Sequence, residues 1–376
     1  MAQRSSVGLR AGARSVSLAA ALLAWGCGHT EPFTSPPYGS DAPFDASPPQ
    51  RLTYNDAADR GPSWLPDGSG LLYSSQQNTR PDDDVCLALL PPTGGTQQRL
   101  WCDVPGGGDN NDALESAAVS PGGRLGFLSA TGDVGAPNPL QQGIAVASTL
   151  DPREAQIVRL FLFTPEGLQV SAQFLRWLDA THMVYVGQRV SVRAPCNGCL
   201  ADTLRAGEAV TILDVDAVES PAIVVPGTEG ATGAAVHEDG AIFYTLGGDN
   251  RVYRYVPSTA ETQIVHDFGA AGIARDVQVV GTRIAAVVGG RVAFGSDQIL
   301  GPTQFDSGGI IHVVDLSSGT DVVLDFTGRL YRRPALSPAG DRLSAEGYPL
   351  IITQITPTIA DTTVSRSGDI YLFGAP

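Results

Sequence analysis

Gly61–Ser75 reads GPSWLPDGSGLLYSS, with Trp64 ending one short run, Pro66-Asp67-Gly68 following it, and Leu71-Leu72-Tyr73 opening a second run. Pro presets φ, Asp can bond the backbone two residues on, and Gly accepts φ > 0, so the stretch predicts a β-hairpin. The hairpin recurs in degraded form along the chain. Anchored on the apolar residue before each turn, the series is Trp64, Val119, Trp177, Val236, Val279 and Leu336. The later turns are Pro121-Gly122-Gly123, Leu178-Asp179-Ala180, Glu238-Asp239-Gly240, Val280-Gly281-Thr282 and Pro338-Ala339-Gly340. Strand-like runs such as RLGFL, HMVYV and AIFYT follow them.

Each hairpin precedes a third β-rich run: VCLAL from Val85, IAVAS from Ile144, AVTILDV from Ala209, RVYRYV from Arg251, IIHVVDL from Ile310 and DIYLF from Asp369. A fourth run follows in all but the last unit, beginning at Gln98, Ile157, Ala222, Gln263 and Asp321. The run missing from the last unit, RLTY, stands at Arg51. Four runs per unit, at a spacing of roughly 40 to 60 residues, are the signature of a β-propeller. The fold class is therefore all-β, a six-bladed β-propeller of four-stranded blades. An N-terminal strand, Arg51–Tyr54, completes the last blade and removes the open sheet edge. A β-sandwich of similar strands does not account for a period of four.

The pattern Pro-Ser-Trp-x-Pro-Asp-Gly followed by an aliphatic-aromatic strand resembles the PD40 (WD40-like) repeat of TolB-like propellers, a repeat also used by the propeller domains of prolyl-oligopeptidase-like enzymes. The resemblance runs from Arg51 to Phe373; it is sharp in the first unit and loose in the third to fifth. It does not extend to TolB's N-terminal α/β domain, for which the chain has no counterpart stretch. It implies partner binding, without carrying over TolB's own partners.

Arg4, Arg10 and Arg14 precede an apolar run from Val16 to Trp25 and then Gly26-Cys27. A basic start, a short apolar core and a small-residue exit describe a secretory signal, too short to span a bilayer. Cys27 after Leu23-Ala24-Trp25-Gly26 resembles a bacterial lipoprotein cleavage site, from which Ala24 and Trp25 depart. The chain has five cysteines. Cys86 and Cys102 fall on adjacent strands of the first blade, where a turn near Gly94 sets them opposite each other. Cys196 and Cys199 form a second local pair, CNGC, which lacks the following His of a haem site and the second CxxC of a zinc site. Two structural disulfides then leave Cys27 for lipidation and agree with an oxidising compartment. Residues 1–26 read as a signal peptide, 27–50 as a lipid-anchored flexible tether poor in aliphatics, and 51–376 as the propeller. The expected location is the cell envelope, as a periplasmic or outer-membrane lipoprotein held by its N-terminal lipid alone.

The net charge is −15, which excludes nucleic acid and anionic lipid surfaces as main partners, because phosphate binding needs basic density. All 24 basic residues are arginine; without lysine there is neither a P-loop lysine nor a Schiff base. No G-x-S-x-G or H-E-x-x-H motif occurs, and no catalytic residue is assigned. His29, His182, His237, His266 and His312 fall at different places in the repeat, so they do not converge on an axial metal. Asp82-Asp83-Asp84, and Asp109, Asn111 and Asp112, offer oxygen ligands of the type calcium takes, without EF-hand spacing. Such loops are most often solvated turns. No cofactor is expected, with calcium as the weak exception.

In a propeller, the connections from second to third strand emerge on the same face as those between blades. The chain is longest there: about 131–142, 187–207, 295–309 and 349–367. Loops built out on one side of a rigid scaffold carry binding function. Four residues before each anchor, at the channel mouth on that face, stand Arg60, Glu115, Gln173, Thr232, Arg275 and Arg332, with Arg333 and Tyr331 adjacent. Arginine offers a planar fork for carboxylates and tyrosine supplies contact area. Two readings stay open: a mouth for an acidic peptide or anionic ligand, or arginines that pair with neighbouring carboxylates such as Asp59 and Asp276 and glue the ring. The expected function is a monomeric, non-catalytic scaffold binding an envelope protein or peptide. The alternative is a carbohydrate- or peptide-acting hydrolase or lyase using channel carboxylates.

Overall fold

The computed structural model describes residues 49–54, 57–76, 84–102, 113–131, 141–161, 168–193, 202–289, 292–297, 301–306, 308–326, 328–356, 359–364 and 368–374. Cys27, Cys196, Cys199, Asp109, Asn111, Asp112, the leader and nearly all of the tether lie outside them.

Strand follows strand antiparallel in repeated up-and-down order. Asp59–Trp64, Leu71–Gln76, Val85–Leu90 and Arg99–Trp101 pair in sequence. So do Ala113–Val119, Leu125–Thr131, Gln141–Ala147 and Gln156–Phe161. The next group is Leu168–Trp177, His182–Arg193, Asp202–Asp214 and Ile223–Val224, its last strand shorter than the run at Ala222 had suggested. Ala231–Val236, Ile242–Leu246, Arg251–Val256 and Glu261–Asp267 follow. Then come Ala274–Val280, Arg283–Val288, Ile310–Asp315 and Thr320–Leu324. The last group is Arg329–Leu336, Arg342–Thr356 and Asp369–Gly374, and its outer partner is Gln50–Arg51. A single parallel pairing, Val85↔Ala113, joins the first two groups into one eight-stranded sheet.

The first strand of each group lies beside the first strand of the next, and Arg329–Leu336 returns to Asp59–Trp64. The arrangement is a β-propeller. Its apolar surface is buried between neighbouring groups rather than in one central core. Ile144, Val146, Val158 and Phe161 meet Leu175, Trp177, Met183 and Tyr185 across one such seam. Leu52, Ile370, Leu372 and Ala335 meet Trp64, Leu71 and Tyr73 across another. Each fully buried aliphatic or aromatic side chain contributes ~1.5–3 kcal/mol. The anchors also bond across seams: Trp64 Nε1 donates to Ala335 O, and Trp177 Nε1 to Ala118 O, each at 3.0 Å.

The N-terminal strand pairs one residue earlier than the sequence suggested. Gln50 and Arg51 oppose Leu372 and Tyr371. Leu52 N and Thr53 Oγ1 then bond Ile370 (2.7 and 2.9 Å), while Tyr54 turns outward, 62% exposed. Cys86 and Cys102 form the expected disulfide.

Three of the long connections, expected as loops, contain β-structure. His182–Arg193 and Asp202–Asp214 stay paired out to Arg193↔Asp202. Val292–Asp297 pairs with Gly301–Asp306, and Arg342–Thr356 with Ile359–Val364. Their β-branched stretches (LIITQIT from Leu350, ADTTV from Ala360) let the insertions satisfy their own backbone groups as hairpins. Arg329 opposes Pro349, which sets the start of an inner strand beside the base of an insertion.

Candidate functional site

The inner strands share one irregularity. Pairing with the second strand slips between Arg60 and Ser63, Glu115 and Ala118, Gln173 and Arg176, Arg275 and Gln278, and Arg332 and Ala335. Each slip is a β-bulge, which frees backbone groups and re-aims side chains. Inside these bulges Gly61, Ser116, Phe174, Asp276 and Arg333 have φ of 61°, 50°, 55°, 50° and 46°. Left-handed conformations cost a non-glycine residue ~1–2 kcal/mol, so the packing around them holds them there. The equivalent residue of the remaining strand is Gly233, where a Cβ would lie 2.8 Å from the backbone N of Asp276 and of Val277.

The freed groups are bound by carboxylates from other strands. Glu346, fully buried, accepts from Gly61 N at 2.6 Å and Tyr348 Oη at 2.7 Å, and lies 3.4 Å from Arg333 Nη1. Desolvation pushes its pKa up, but Arg333, Arg332 and these hydrogen bonds outweigh that and hold it below its ordinary value. Asp276 accepts from Arg333 N at 2.9 Å. Arg176 crosses from Leu168–Trp177 to Ala274–Val280, its Nε donating to Gln278 Oε1 at 3.3 Å and its Nη1 to Leu175 O at 2.8 Å. Burial, then the charge of Arg333, lowers its pKa to about 10, against the pull of Asp276; it stays cationic at neutral pH.

Where Gln50–Arg51 pairs with Asp369–Gly374, Arg51 Nη2 reaches the Asp369 carboxylate at 2.8 Å. Burial nevertheless pushes the pKa of Asp369 up to about 6; Arg51 lowers it and Asp59 adds to the rise.

The sequence-predicted residues divide. Arg60 and Glu115 come together, Nη1 to Oε1 at 3.9 Å, with side chains 39% and 32% exposed. Arg332 stacks over Tyr348, 5.8 Å from the ring centroid, beside the Glu346 cluster, and Arg333 lies inside that cluster. Arg275 is tied to Gly289 O (2.8 Å) and Gly308 O (3.2 Å), contacts of the gluing kind. Gln173 is half-buried. Tyr331, expected to offer contact area, is a core residue instead: it packs against Phe326, Tyr371 and Phe373. Its neighbours Leu330 and Arg332 alternate with it, so the pleat turns its ring into the seam.

Arg176, Gln278 and Glu346 were missed. Arg176 and Gln278 stand one residue before their anchors, where the other inner strands carry Ser63, Ala118, Ala235 and Ala335; lining up that register would have exposed them. Glu346 interrupts an otherwise small and apolar second strand, RLSAEGYP, which marks a buried charge. Among the described residues, no group of three or more His, Cys, Asp and Glu side chains is placed to hold a metal.

Fold and site together define a β-propeller with an ionic cluster, Glu346, Arg333 and Asp276, among its strands. No protein-family model matches the chain, and no curated protein matches it. Solved structures do. TolB from Acinetobacter baumannii aligns at 13% identity and TM-score 0.45 over 84% of this chain, which spans 65% of that protein's length. A protein assigned as TolB in Agrobacterium tumefaciens aligns at 14% identity and TM-score 0.48, over 86% of this chain and 93% of that one. The PQQ-bound aldose sugar dehydrogenase of Streptomyces coelicolor aligns at 11% identity and TM-score 0.48, over 87% and 97%.

Proposed function

We propose that the chain is a six-bladed, TolB-like propeller lipoprotein of a bacterial cell envelope that binds a protein or peptide partner without catalysis. The partner docks on the insert-bearing face at the channel mouth. Six blades follow from dividing the eight-stranded sheet at its single parallel pairing, Val85↔Ala113, and from taking Gln50–Arg51 as the closing strand. Export and lipidation at Cys27 rest on the basic, apolar and small-residue order of the leader.

The observation that carries the binding reading is Arg60. Its guanidinium stands beside Glu115, 39% exposed and 3.9 Å from the carboxylate. A pair so open contributes little to stability, so its fork remains available to an acidic segment. What weighs against Glu346 as an acid catalyst is its commitment: its pKa is held below the ordinary value and it accepts from Gly61 N and Tyr348 Oη.

The test is affinity capture from a solubilised envelope extract with the full chain as bait. Parallel baits carry Arg60→Glu, and Arg254→Glu at the opposite, turn-bearing face. The reading expects a protein retained by the wild type and by Arg254→Glu and lost from Arg60→Glu. Equal retention by all three moves the interface elsewhere; no retained protein removes the adaptor role.

A further inference from the structure

We propose that Ile359–Val364 is a self-pairing edge through which two copies of this chain join as a dimer. The strand closes the insertion of the last group, and among the described residues its partner is Leu350–Thr356 alone. Its outer row of N–H and C=O groups therefore faces no other described strand. Proteins usually blunt such an edge with charge, proline or a bulge, because it is a template for another chain. Ile359–Val364, IADTTV, has one charge, no proline and no glycine, and the bulge of this hairpin falls on its partner, between Gln354 and Thr356.

The other insertion edges are interrupted. Asp202–Asp214 carries Asp202, Arg205 and Glu208 on the stretch that Ile223–Val224 leaves uncovered. Gly301–Asp306 carries Pro302 and lies against Asp202–Asp214, and Val292–Asp297 has Gly295 within it. The far edge of Leu350–Thr356 is itself broken by the bulge.

What selects a second copy as the occupant is the strand's fit to itself. A two-fold axis normal to the sheet relates antiparallel strands and keeps every residue on its own face. A residue therefore opposes its own number, or one an even number of places away. The two longest registers differ in their centre. One is centred on Asp361 and sets that residue opposite itself, which like charge disfavours. The other is centred on Thr362; it sets Asp361 opposite Thr363 and Ala360 opposite Val364, with no like charges opposed. A two-stranded ribbon is marginal in water, and two of them joined edge to edge make one four-stranded sheet. At a net charge of −15 two copies repel, so contact is favoured where charge is sparse, and residues 350–364 carry only Asp361. The chain then works as a dimer, in place of the monomer expected from its sequence.

The dimer does not depend on partner capture, because purified full-length chain is enough to test it. Sedimentation velocity over a concentration series should show a monomer–dimer equilibrium for the wild type. Thr362→Asp sets like charges opposite each other and should weaken the dimer about tenfold or more, as should Thr362→Lys. Mixing these two variants should restore it as a heterodimer. Thr363→Lys faces Asp361 of the second copy and should tighten the dimer, a gain that a misfolded variant does not give. A wild type that stays monomeric throughout, and so leaves the edge to a foreign strand, overturns the proposal. So does growth past two copies, or a dimer indifferent to both Thr362→Asp and Thr363→Lys.

Discussion

Glu346 and Asp239 make the same kinds of bond in opposite settings. Asp239 accepts from Ala241 N (2.8 Å) and pairs with Arg254 (2.7 Å) and His237 (2.8 Å). Glu346 accepts from Gly61 N and Tyr348 Oη and pairs with Arg333. Asp239 reaches a backbone N–H two residues away with its side chain 44% exposed; Glu346 reaches one 285 residues away and is wholly buried. The turn-face carboxylate shapes a local hairpin, as Asp67, Asp179 and Asp315 do with the N–H groups two residues on. The axial carboxylate stitches the last strand group to the first. Sequence distance and desolvation, more than bond count, set what each carboxylate is worth.

The sharpest break of that comparison is Glu346→Ala. It leaves the half-buried Arg333 without this carboxylate and Gly61 N–H and Tyr348 O–H without their acceptor, a cost of ~3 kcal/mol. Denaturant unfolding measures it, and a loss below that of any turn-face variant would remove the distinction. Next in size is a pH effect at Asp369, where Gln50–Arg51 pairs with Asp369–Gly374. Asp369 is raised from its ordinary 3.8 to about 6, so its contribution to stability is complete below pH 3.8 and is lost as pH rises through about 6. At ~1.4 kcal/mol per pH unit, that loss reaches up to ~3 kcal/mol by pH 7. Melting curves from pH 4 to 7 should show the wild type losing stability relative to Asp369→Asn; parallel curves would refute it.

How much of this could be read in the chain follows the same division. The anchors, the Pro-Asp-Gly turn and the Cys86–Cys102 pair are local signals, and local physics places them. The bulges are not local: Ser116, Phe174, Asp276 and Arg333 are unremarkable residues forced to positive φ by the strands around them. Arg275 and Arg332 share one register in the sequence, yet Arg275 ends on carbonyls of neighbouring loops and Arg332 beside Tyr348. Register predicts which level of the axis a side chain enters; its partner depends on the facing strands. The insertions have the length of loops, but their β-branched content pairs them as hairpins.

Between the extremes lies Trp177→Phe. The ring still fills the seam against Met183 and Phe161, but Ala118 O loses its donor. A buried carbonyl left without a partner costs ~1–3 kcal/mol. The same change at Trp64, which bonds Ala335 O with the same 3.0 Å geometry, should cost a similar amount if the seams are equivalent. Denaturation midpoints for the two variants test that symmetry.

The smallest effect belongs to Asp239→Asn. The amide oxygen can still accept from Ala241 N, so the turn survives, while the pairs with Arg254 and His237 lose their charge. For a side chain this exposed, solvent screening limits the cost to below ~1 kcal/mol at pH 7. The sign with pH opposes that of Asp369. Asp239 is held below its ordinary value: desolvation raises it, but the Ala241 N–H, His237 and Arg254 prevail. Its contribution is therefore present above pH 3.8 and lost as pH falls below it. Wild type and Asp239→Asn should converge in acid and separate slightly towards neutrality. A gap that persists once the pH lies below the lowered native-state pKa of Asp239 would mean that the turn geometry, rather than the charge, carries the effect.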